Sequence, residues 1–348
     1  MTVNDNQGNI IIDGASLSTD AITGRLIGRQ EQAGQLRVCL APMMKDLPPM
    51  NAWLYGPPGS GKTLLAKSTT GEVCTSGANR LAVYVNCWQH RTRHSVLQAI
   101  IGEFQVLGAE SYDTNVKLDR IRQFLRDRPT VIILDEIDRP MPAVREEIIL
   151  ALLGLPKTGV ICVAGSTNAL AAMDERTRSR LSPALVEVPA YSARELEAIL
   201  TDRAHRGLSP GSWSPATIRH IALRSSGDAR VAINALRRAA AEAEQSGQPK
   251  IDVRFIDRTL TQWQAIRQEA RFVGLSEHEK IIHDLAMRHA PLGATDLARL
   301  YVAHCQSQGL HPMARRTFSK YLGRLSSAGL LAVSGQHGSK GGRIVRAA

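Results

Sequence analysis

Apolar positions along this chain follow two rhythms. Up to about residue 190, short apolar runs at Trp53–Tyr55, Leu81–Val85, Val131–Leu134, Val160–Ala164 and Leu185–Val188 alternate with segments whose apolar residues recur at helical spacing. Continuous short runs fit strands buried on both faces, and their alternation with helices predicts a parallel sheet wrapped by helices. From Ser192 the strand rhythm stops. Helices are predicted over Glu195–His205, Pro215–Ser225, Ala229–Gln245 and Val253–Arg271. A third region opens at Leu275. There Ser276 and Glu279 have capping-box spacing ahead of a helix over Lys280–Met287. Helices over Ala294–Gln306 and Met313–Ser327 follow, and Leu330–Val333 and Ile344–Val345 flank a glycine-rich loop, which predicts a hairpin. The expected organisation is a polar, loosely ordered tail over 1–20, a sheet domain over 21–190, a helical domain over 191–273 and a C-terminal domain over 274–348.

Two motifs give the sheet domain its chemistry. Gly56-Pro57-Pro58-Gly59-Ser60-Gly61-Lys62-Thr63 follows the first strand and leads through Leu64 into a helix. That is the strand, glycine-rich turn and helix order of a phosphate-binding P-loop. The glycines let backbone N–H groups close around phosphates, and the helix N-terminus adds positive partial charge. Lys62 is expected to reach the β- and γ-phosphate oxygens and Thr63 to ligate Mg²⁺. The second motif is Asp135-Glu136 at the carboxyl end of the run Val131–Leu134. Ligands sit outside the carboxyl ends of strands in open α/β sheets, so both acids are expected at the nucleotide. Asp135 would hold the Mg²⁺ shell and Glu136 would polarise the attacking water. An apolar run followed by Asp-Glu is weak alone and strong beside a P-loop.

Further groups complete an ATPase reading. The run Val160–Ala164 leads into Gly165-Ser166-Thr167-Asn168, which places an amide at the end of a neighbouring strand. Arg176, Arg178 and Arg180 form a cluster suited to bidentate phosphate contact, or simply a solvated basic helix end. Gly227-Asp228-Ala229-Arg230 opens a helix from which Arg230 could swing onto the γ-phosphate.

Together Gly56–Thr63, Leu134–Asp138, Ser166–Asn168, Ser179-Arg180-Leu181 and Gly227–Arg230 resemble an AAA+ ATPase. More narrowly, the chain resembles the archaeal and eukaryotic replication-initiator clade, the origin-recognition/cell-division-control family. Leu26–Glu31, Val83–Cys87, Val188–Ser192 with Glu195-Leu196, and the C-terminal region carry the narrower match, which covers about Gly24 to Arg346. The resemblance implies an α/β AAA+ parallel-sheet P-loop domain, then an all-α lid and a C-terminal winged-helix domain. It implies ATP and ADP as cofactors with Mg²⁺, and slow hydrolysis used as a switch. Asp135 and Glu136 become the Walker B pair, Asn168 sensor 1 and Arg230 sensor 2. Arg180 is favoured over Arg176 as the arginine finger, and Ile27 and Tyr191 line the adenine pocket. The chain departs from the family at Asp138–Pro142, where two prolines interrupt the expected helix start.

Charge points to the partner. The chain carries a formal net charge of +11 over 348 residues, which favours anionic partners, nucleic acid first. From His311 to Ala348 there are seven Lys and Arg and no Asp or Glu, whereas an ordinary solvated face mixes signs. On a helix, Phe318, Tyr321, Leu322 and Leu325 fall in one sector. Arg316, Lys320 and Arg324 fall opposite, flanked by Arg315 and Ser319. This reads as a recognition helix for double-stranded DNA, with the glycine-rich loop as a wing that supplies Lys340 and Arg343. Protein–protein contact is the rival reading. Arg91 and Arg93, ahead of a helix with Val96, Leu97, Ile100, Ile101 and Phe104 on one stripe, match the family's initiator-specific insertion and give a second candidate DNA contact. A solvated helix start explains them equally well. His90 and His94 have metal-compatible spacing but no third ligand nearby, so no metal is expected there.

Five scattered cysteines read as reduced thiols. No run approaches a membrane span and the polar start is no signal peptide, so a cytoplasmic, nucleoid-associated protein with no membrane partner is expected. The function expected is an ATP-switched initiator that marks a DNA site and recruits a helicase or other DNA-processing machinery. It would self-associate, or meet another AAA+ subunit, through the arginine finger. The alternative is a mobile-element AAA+ regulator that forms filaments on DNA and directs a transposase. A protein unfoldase ranks below both, since no aromatic, glycine-flanked pore loop surrounds Trp88.

Overall fold

The computed structural model describes residues 9–19, 26–76, 79–105, 111–272, 274–327, 330–334 and 344–347. The chain divides into two compact units, residues 1–260 and 261–348.

The first unit is built on five parallel strands, β1 (Ala52–Tyr55), β2 (Leu81–Asn86), β3 (Thr130–Asp135), β4 (Thr158–Ala164) and β5 (Ala184–Glu187), in the order β2-β3-β4-β1-β5. All five strands lie where the apolar runs predict them. β3 is buried at every position, as a central parallel strand covered on both faces must be. On one face, α1 (Gln30–Leu40) and α2 (Lys62–Thr75) enclose Leu36, Leu40, Leu65, Val131, Ile133 and Val163. On the other, α3 (Arg93–Glu103), α4 (Thr114–Leu125) and α5 (Pro142–Leu153) pack over Trp53, Val83, Ile132, Leu134 and Val160. Short helices α6 (Asn168–Ala171) and α7 (Glu175–Leu181) lead to the edge strand β5.

The chain path after β3 is set by one buried cation. Arg145 donates from Nε to the Ile137 carbonyl at 3.0 Å, from Nη1 to that of Ala169 at 3.2 Å and from Nη2 to that of Pro140 at 3.2 Å. The two prolines fit this path. Arg139 N–H closes a turn onto the Glu136 carbonyl, and Pro142 occupies the first turn of α5, where a missing N–H costs nothing.

The helical part of this unit consists of α8 (Ala193–Gly207), α9 (Pro215–Arg224), α10 (Ala229–Gln245) and the start of α11 (Val253–Phe272). Each of the first three begins on a side-chain cap: Ser192 in a capping box with Glu195, Ser214 onto Thr217 N–H, and Asp228 onto the N–H groups of Arg230 and Val231. Ala232, Leu236, Ala239, Ala240 and Ala243 form the buried stripe of α10.

Residues 9–19 differ from the expected loose tail. Ile10 and Leu17 are buried among Leu200, Ala204, Leu208 and Ile218. Backbone bonds join Ile12 N–H to the Gly207 carbonyl and Ser209 N–H to the Ile10 carbonyl, at 2.9 and 2.8 Å. Arg203 Nη1 donates to the carbonyls of Ser16 and Ser18. The segment is polar on average, but two apolar side chains at the right separation suffice to dock it. Leu17→Ala should therefore lower stability by about 2–5 kcal/mol, as for other buried leucines. A urea midpoint equal to wild type would show that the segment does not contribute to folding.

The second unit contains α12 (Glu277–His289), α13 (Ala294–Ser307), α14 (Arg315–Ser327) and an antiparallel sheet of β6 (Leu292–Gly293), β7 (Leu331–Ser334) and β8 (Ile344–Ala347) in the order β6-β8-β7. Three helices and an antiparallel sheet are thus the described elements of this unit. The Ser276–Glu279 capping box is present. β6 escapes the sequence reading because two residues carry no periodicity. Ile282, Leu297, Tyr301, Phe318, Leu322, Leu325 and Val345 form this unit's core.

Candidate nucleotide-binding site

A cavity of about 490 Å³ lies between the sheet's carboxyl edge and the helical part of the first unit. The P-loop turns into it. Gly56 has φ 154, and a Cβ there would lie 2.0 Å from the Val188 carbonyl oxygen. Gly61 has φ 85, where a Cβ would meet the Tyr191 hydroxyl at 2.4 Å. Both positions therefore require glycine. Pro58, Gly59, Gly61, Lys62, Thr63 and Leu64 line the cavity, whereas Ser60 is fully buried beneath it.

Lys62 does not extend outward here. Its ammonium donates to the carbonyls of Gly56 at 2.7 Å and Pro57 at 2.8 Å. Its pKa is lowered, first by burial and then by Arg230. A cation destabilised in this way gains from an incoming anion.

Asp135 lies at the end of β3 and is nearly buried. Its Oδ2 accepts from the Thr63 hydroxyl at 2.8 Å and from the Tyr84 hydroxyl at 2.9 Å. Burial and the neighbouring carboxylate push the Tyr84 hydroxyl pKa well up, so it stays a donor. Glu136, at φ 54 in the left-handed region, lines the same cavity and pairs with Arg139 at 3.1 Å. A non-glycine residue in that region is uncommon. Thr63 and Asp135 are hard oxygen donors within hydrogen-bond reach of each other, which fits Mg²⁺.

From the helical side come Tyr191, Ile199, Asp202, Arg203, Arg230 and Ile233, and Ile27 joins them. The lining thus combines cationic and polar groups, among them Lys62, Thr63, Asp135 and Arg230, with aliphatic and aromatic ones, among them Ile27, Tyr191, Ile199 and Ile233, a mixture that suits a nucleotide.

Several residues around this site escape the sequence reading, Tyr84 and Arg29 among them. Tyr84 sits in a strand whose alternation does not say which face meets the acids. Arg29 is 2% exposed. Its Nε donates to Ser60 O at 3.1 Å, Nη1 to Gly28 O at 2.8 Å and Nη2 to Pro189 O at 2.8 Å, and it lies 3.6 Å from the Tyr191 ring centre. It belongs to the run Leu26–Glu31, but nothing local marks it as a clamp.

Other expected site residues stand apart. Asn168 is exposed at the start of α6 and is not among the residues that line the cavity, although Gly165 is. Arg176 and Arg180 are exposed on α7, outside the cavity.

On α14, Arg315, Arg316, Ser319 and Lys320 are exposed while Phe318, Leu322 and Leu325 are buried, as the wheel predicts. Arg324 is exposed on the same helix. It pairs at 3.0 Å with Glu279, whose side chain is fully buried, so its charge is compensated within its own unit. Lys340 and Arg343 lie outside the described residues. In the first unit, Arg91 is exposed and lies over the Trp88 ring at 4.4 Å. Arg93 is half-buried and donates to Asn115 Oδ1 at 3.5 Å, so it too is less available than expected. Both ring nitrogens of His94 are engaged, Nδ1 by Thr114 and Nε2 by the buried Lys117.

Comparison with known proteins places this geometry. Residues 49–173 match the model of the AAA domain and residues 197–259 that of the Cdc6 AAA+ ATPase-type lid domain. The chain is 30% identical over 312 residues to ORC1-type DNA replication protein 9 of Halobacterium salinarum, covering 88% of this chain and 86% of that one. The Aeropyrum pernix ORC2 protein, solved as ADPNP–ADP complexes, superposes with a TM-score of 0.80 at 22% identity over 97% of this chain and 94% of that one. The Aeropyrum pernix ORC1 protein in complex with DNA gives 0.65 at 24% identity over the same shares. The chain belongs to the ORC1-type family of replication proteins and carries an AAA+ ATPase fold with a Cdc6-type lid.

Proposed function

We propose that this chain is an ATP-dependent, double-stranded-DNA-binding initiator that marks a DNA site and recruits DNA-processing machinery, with ATP as the switch. The observation that carries the reading is the placement of the cavity. Its phosphate end belongs to the sheet and much of its remaining wall to the helical lid, so an occupant fixes the lid angle. The same chain carries a winged helix with a cationic outer face. The known DNA complex of Aeropyrum pernix ORC1 supports the DNA part of the reading.

In this reading Lys62 leaves the Gly56 and Pro57 carbonyls for β- and γ-phosphate oxygens. Ile27 and Tyr191 face the base. Thr63 and Asp135 hold Mg²⁺, which when bound neutralises phosphate charge. Glu136 orients water for attack, and Arg230 contacts the γ-phosphate from the lid. Asn168 reaches the cavity only if α6 shifts toward it. Arg180, with Arg176 beside it, projects from the chain toward a neighbouring AAA+ subunit's phosphate. Arg315, Arg316, Ser319 and Lys320 meet the duplex, and slow hydrolysis resets the assembly.

Nuclease footprinting on the DNA that flanks the protein's own gene, with ATP, with ADP and without nucleotide, tests this. A discrete protected site whose strength depends on the nucleotide is expected. Uniform protection that spreads with protein concentration would instead indicate a filament-forming regulator and sink the site-marking reading.

A further inference from the structure

We infer that the first turn of α12 fixes the orientation of α14, and that Arg324 serves DNA binding through this hold rather than by touching the duplex. The hold matters to DNA only if α14 meets a duplex, so it rests on the DNA-binding reading above. Glu279 lies in that first turn with its side chain fully buried. One carboxylate oxygen, Oε2, accepts from Ser276 N–H at 2.9 Å and from the Ser276 hydroxyl at 3.0 Å, which closes the cap of α12. The other, Oε1, has no hydrogen bond among the described residues and lies 3.0 Å from Arg324 Nη1. A buried carboxylate that loses its cation is strongly destabilising. The Arg324 guanidinium is therefore committed to its own unit, and leaving for a phosphate would expose that cost.

The residue beside Glu279 holds the other end of α14. The Tyr301 hydroxyl accepts from Met313 N–H, just ahead of α14, at 3.1 Å and is bonded to His278 Nδ1 at 2.7 Å. Tyr301 is almost fully buried, and its ring centre lies 5.3 Å from that of Phe318 on α14. α14 is thus held before its first turn through Tyr301 and in its last turn through Arg324, from adjacent residues of α12. Holds at opposite ends fix both the tilt of a helix and its rotation about its own axis. Arg316, Lys320 and Arg324 follow one another at four-residue spacing along one stripe of α14. Pinning Arg324 to α12 therefore sets the direction in which the exposed Arg316 and Lys320 project. Side chains that must meet phosphates or base edges lose strength when their support is loose. Arg324 is a positioning residue in this scheme, since it acts through Arg316 and Lys320.

The test is binding of the full chain to a labelled duplex from the DNA that flanks its own gene, read as fluorescence anisotropy across a salt series. Wild type is compared with Arg324→Ala, Arg324→Lys, Tyr301→Phe and the double variant Glu279→Gln with Arg324→Met. Each is measured at a temperature where its melting curve shows a fully folded chain. The double variant leaves no buried charge unpaired, so it keeps the test decisive if Arg324→Ala does not fold. Arg324→Ala should bind about five- to tenfold more weakly, the worth of roughly one good contact, with a slope of log K against log salt equal to wild type. Tyr301→Phe and the double variant should lose affinity in the same way at the same slope. Arg324→Lys, which keeps a cation beside Glu279, should recover most of the affinity. A residue that itself neutralised a phosphate would take about 0.9 from the slope. Two results overturn the inference alone: a slope that falls by that amount in Arg324→Ala or the double variant, or an affinity equal to wild type in the folded variants. A wild type that binds no duplex overturns the initiator reading, and the role of Arg324 falls with it.

Discussion

Lys62→Ala is expected to abolish measurable ATP binding while leaving the fold intact. The ammonium makes its two described hydrogen bonds to carbonyls of its own loop, Gly56 and Pro57, and these carbonyls can take solvent in its place. Stability should therefore change little. The nucleotide loses far more. Each charge-assisted hydrogen bond to phosphate is worth about 1.5–3 kcal/mol, so loss of two corresponds to roughly a hundredfold or more in affinity. The lowered pKa of Lys62 points the same way: a cation disfavoured by burial and by Arg230 is stabilised when phosphate arrives. Calorimetric titration of wild type and variant with ATP, beside thermal melts of both, checks this. An unchanged dissociation constant would falsify the P-loop assignment.

The second large effect is on DNA. Arg316→Ala combined with Lys320→Ala should weaken duplex binding and flatten its salt dependence. Both side chains are exposed on α14, opposite buried Phe318, Leu322 and Leu325, so the double variant should fold as wild type. If each cation neutralises one phosphate, the slope of log K against log salt falls by about 0.9 per contact, close to 2 for the pair. Fluorescence anisotropy across a salt series reads that slope directly. A uniform loss over unrelated sequences would assign both residues to the backbone, whereas a loss confined to one sequence would assign them to base edges. A slope equal to wild type would move the DNA surface off this helix. Arg324 is left out of the pair because Glu279 already compensates it.

What the sequence revealed and what it hid divide along one physical line. The P-loop, Asp135-Glu136, the five strands and the amphipathic α14 are encoded within a few neighbouring residues, where spacing and residue type settle the local geometry. What sequence missed depends on contacts between distant segments. Leu17 looks like part of a polar tail until α8 and α9 supply the surface that buries it. Arg324 matches Arg316 and Lys320 in spacing, and only the approach of α12 makes it a partner of Glu279. Tyr84 becomes a donor to Asp135 through strand pairing, and Arg29 acquires its acceptors from three separate stretches. Asn168 shows the opposite limit: its motif is local and legible, yet its distance from the cavity is a property of the loop after β4.

Arg29 has a consequence for which substitutions the nucleotide site can accept. Its guanidinium reaches the main-chain carbonyls of Gly28, Ser60 and Pro189. Its hydrogen bonds therefore follow a path of the backbone, while its contact with the Tyr191 ring and its ion pair with Glu195 at 3.6 Å depend on side chains. As far as this clamp is concerned, Ser60 and Pro189 can vary, because only their carbonyls are used. Position 29 cannot vary in the same way. An ammonium on a flexible stem lacks the flat, fixed fork that aims three donors in one plane, so even a lysine there would loosen the junction where the phosphate loop and the lid meet.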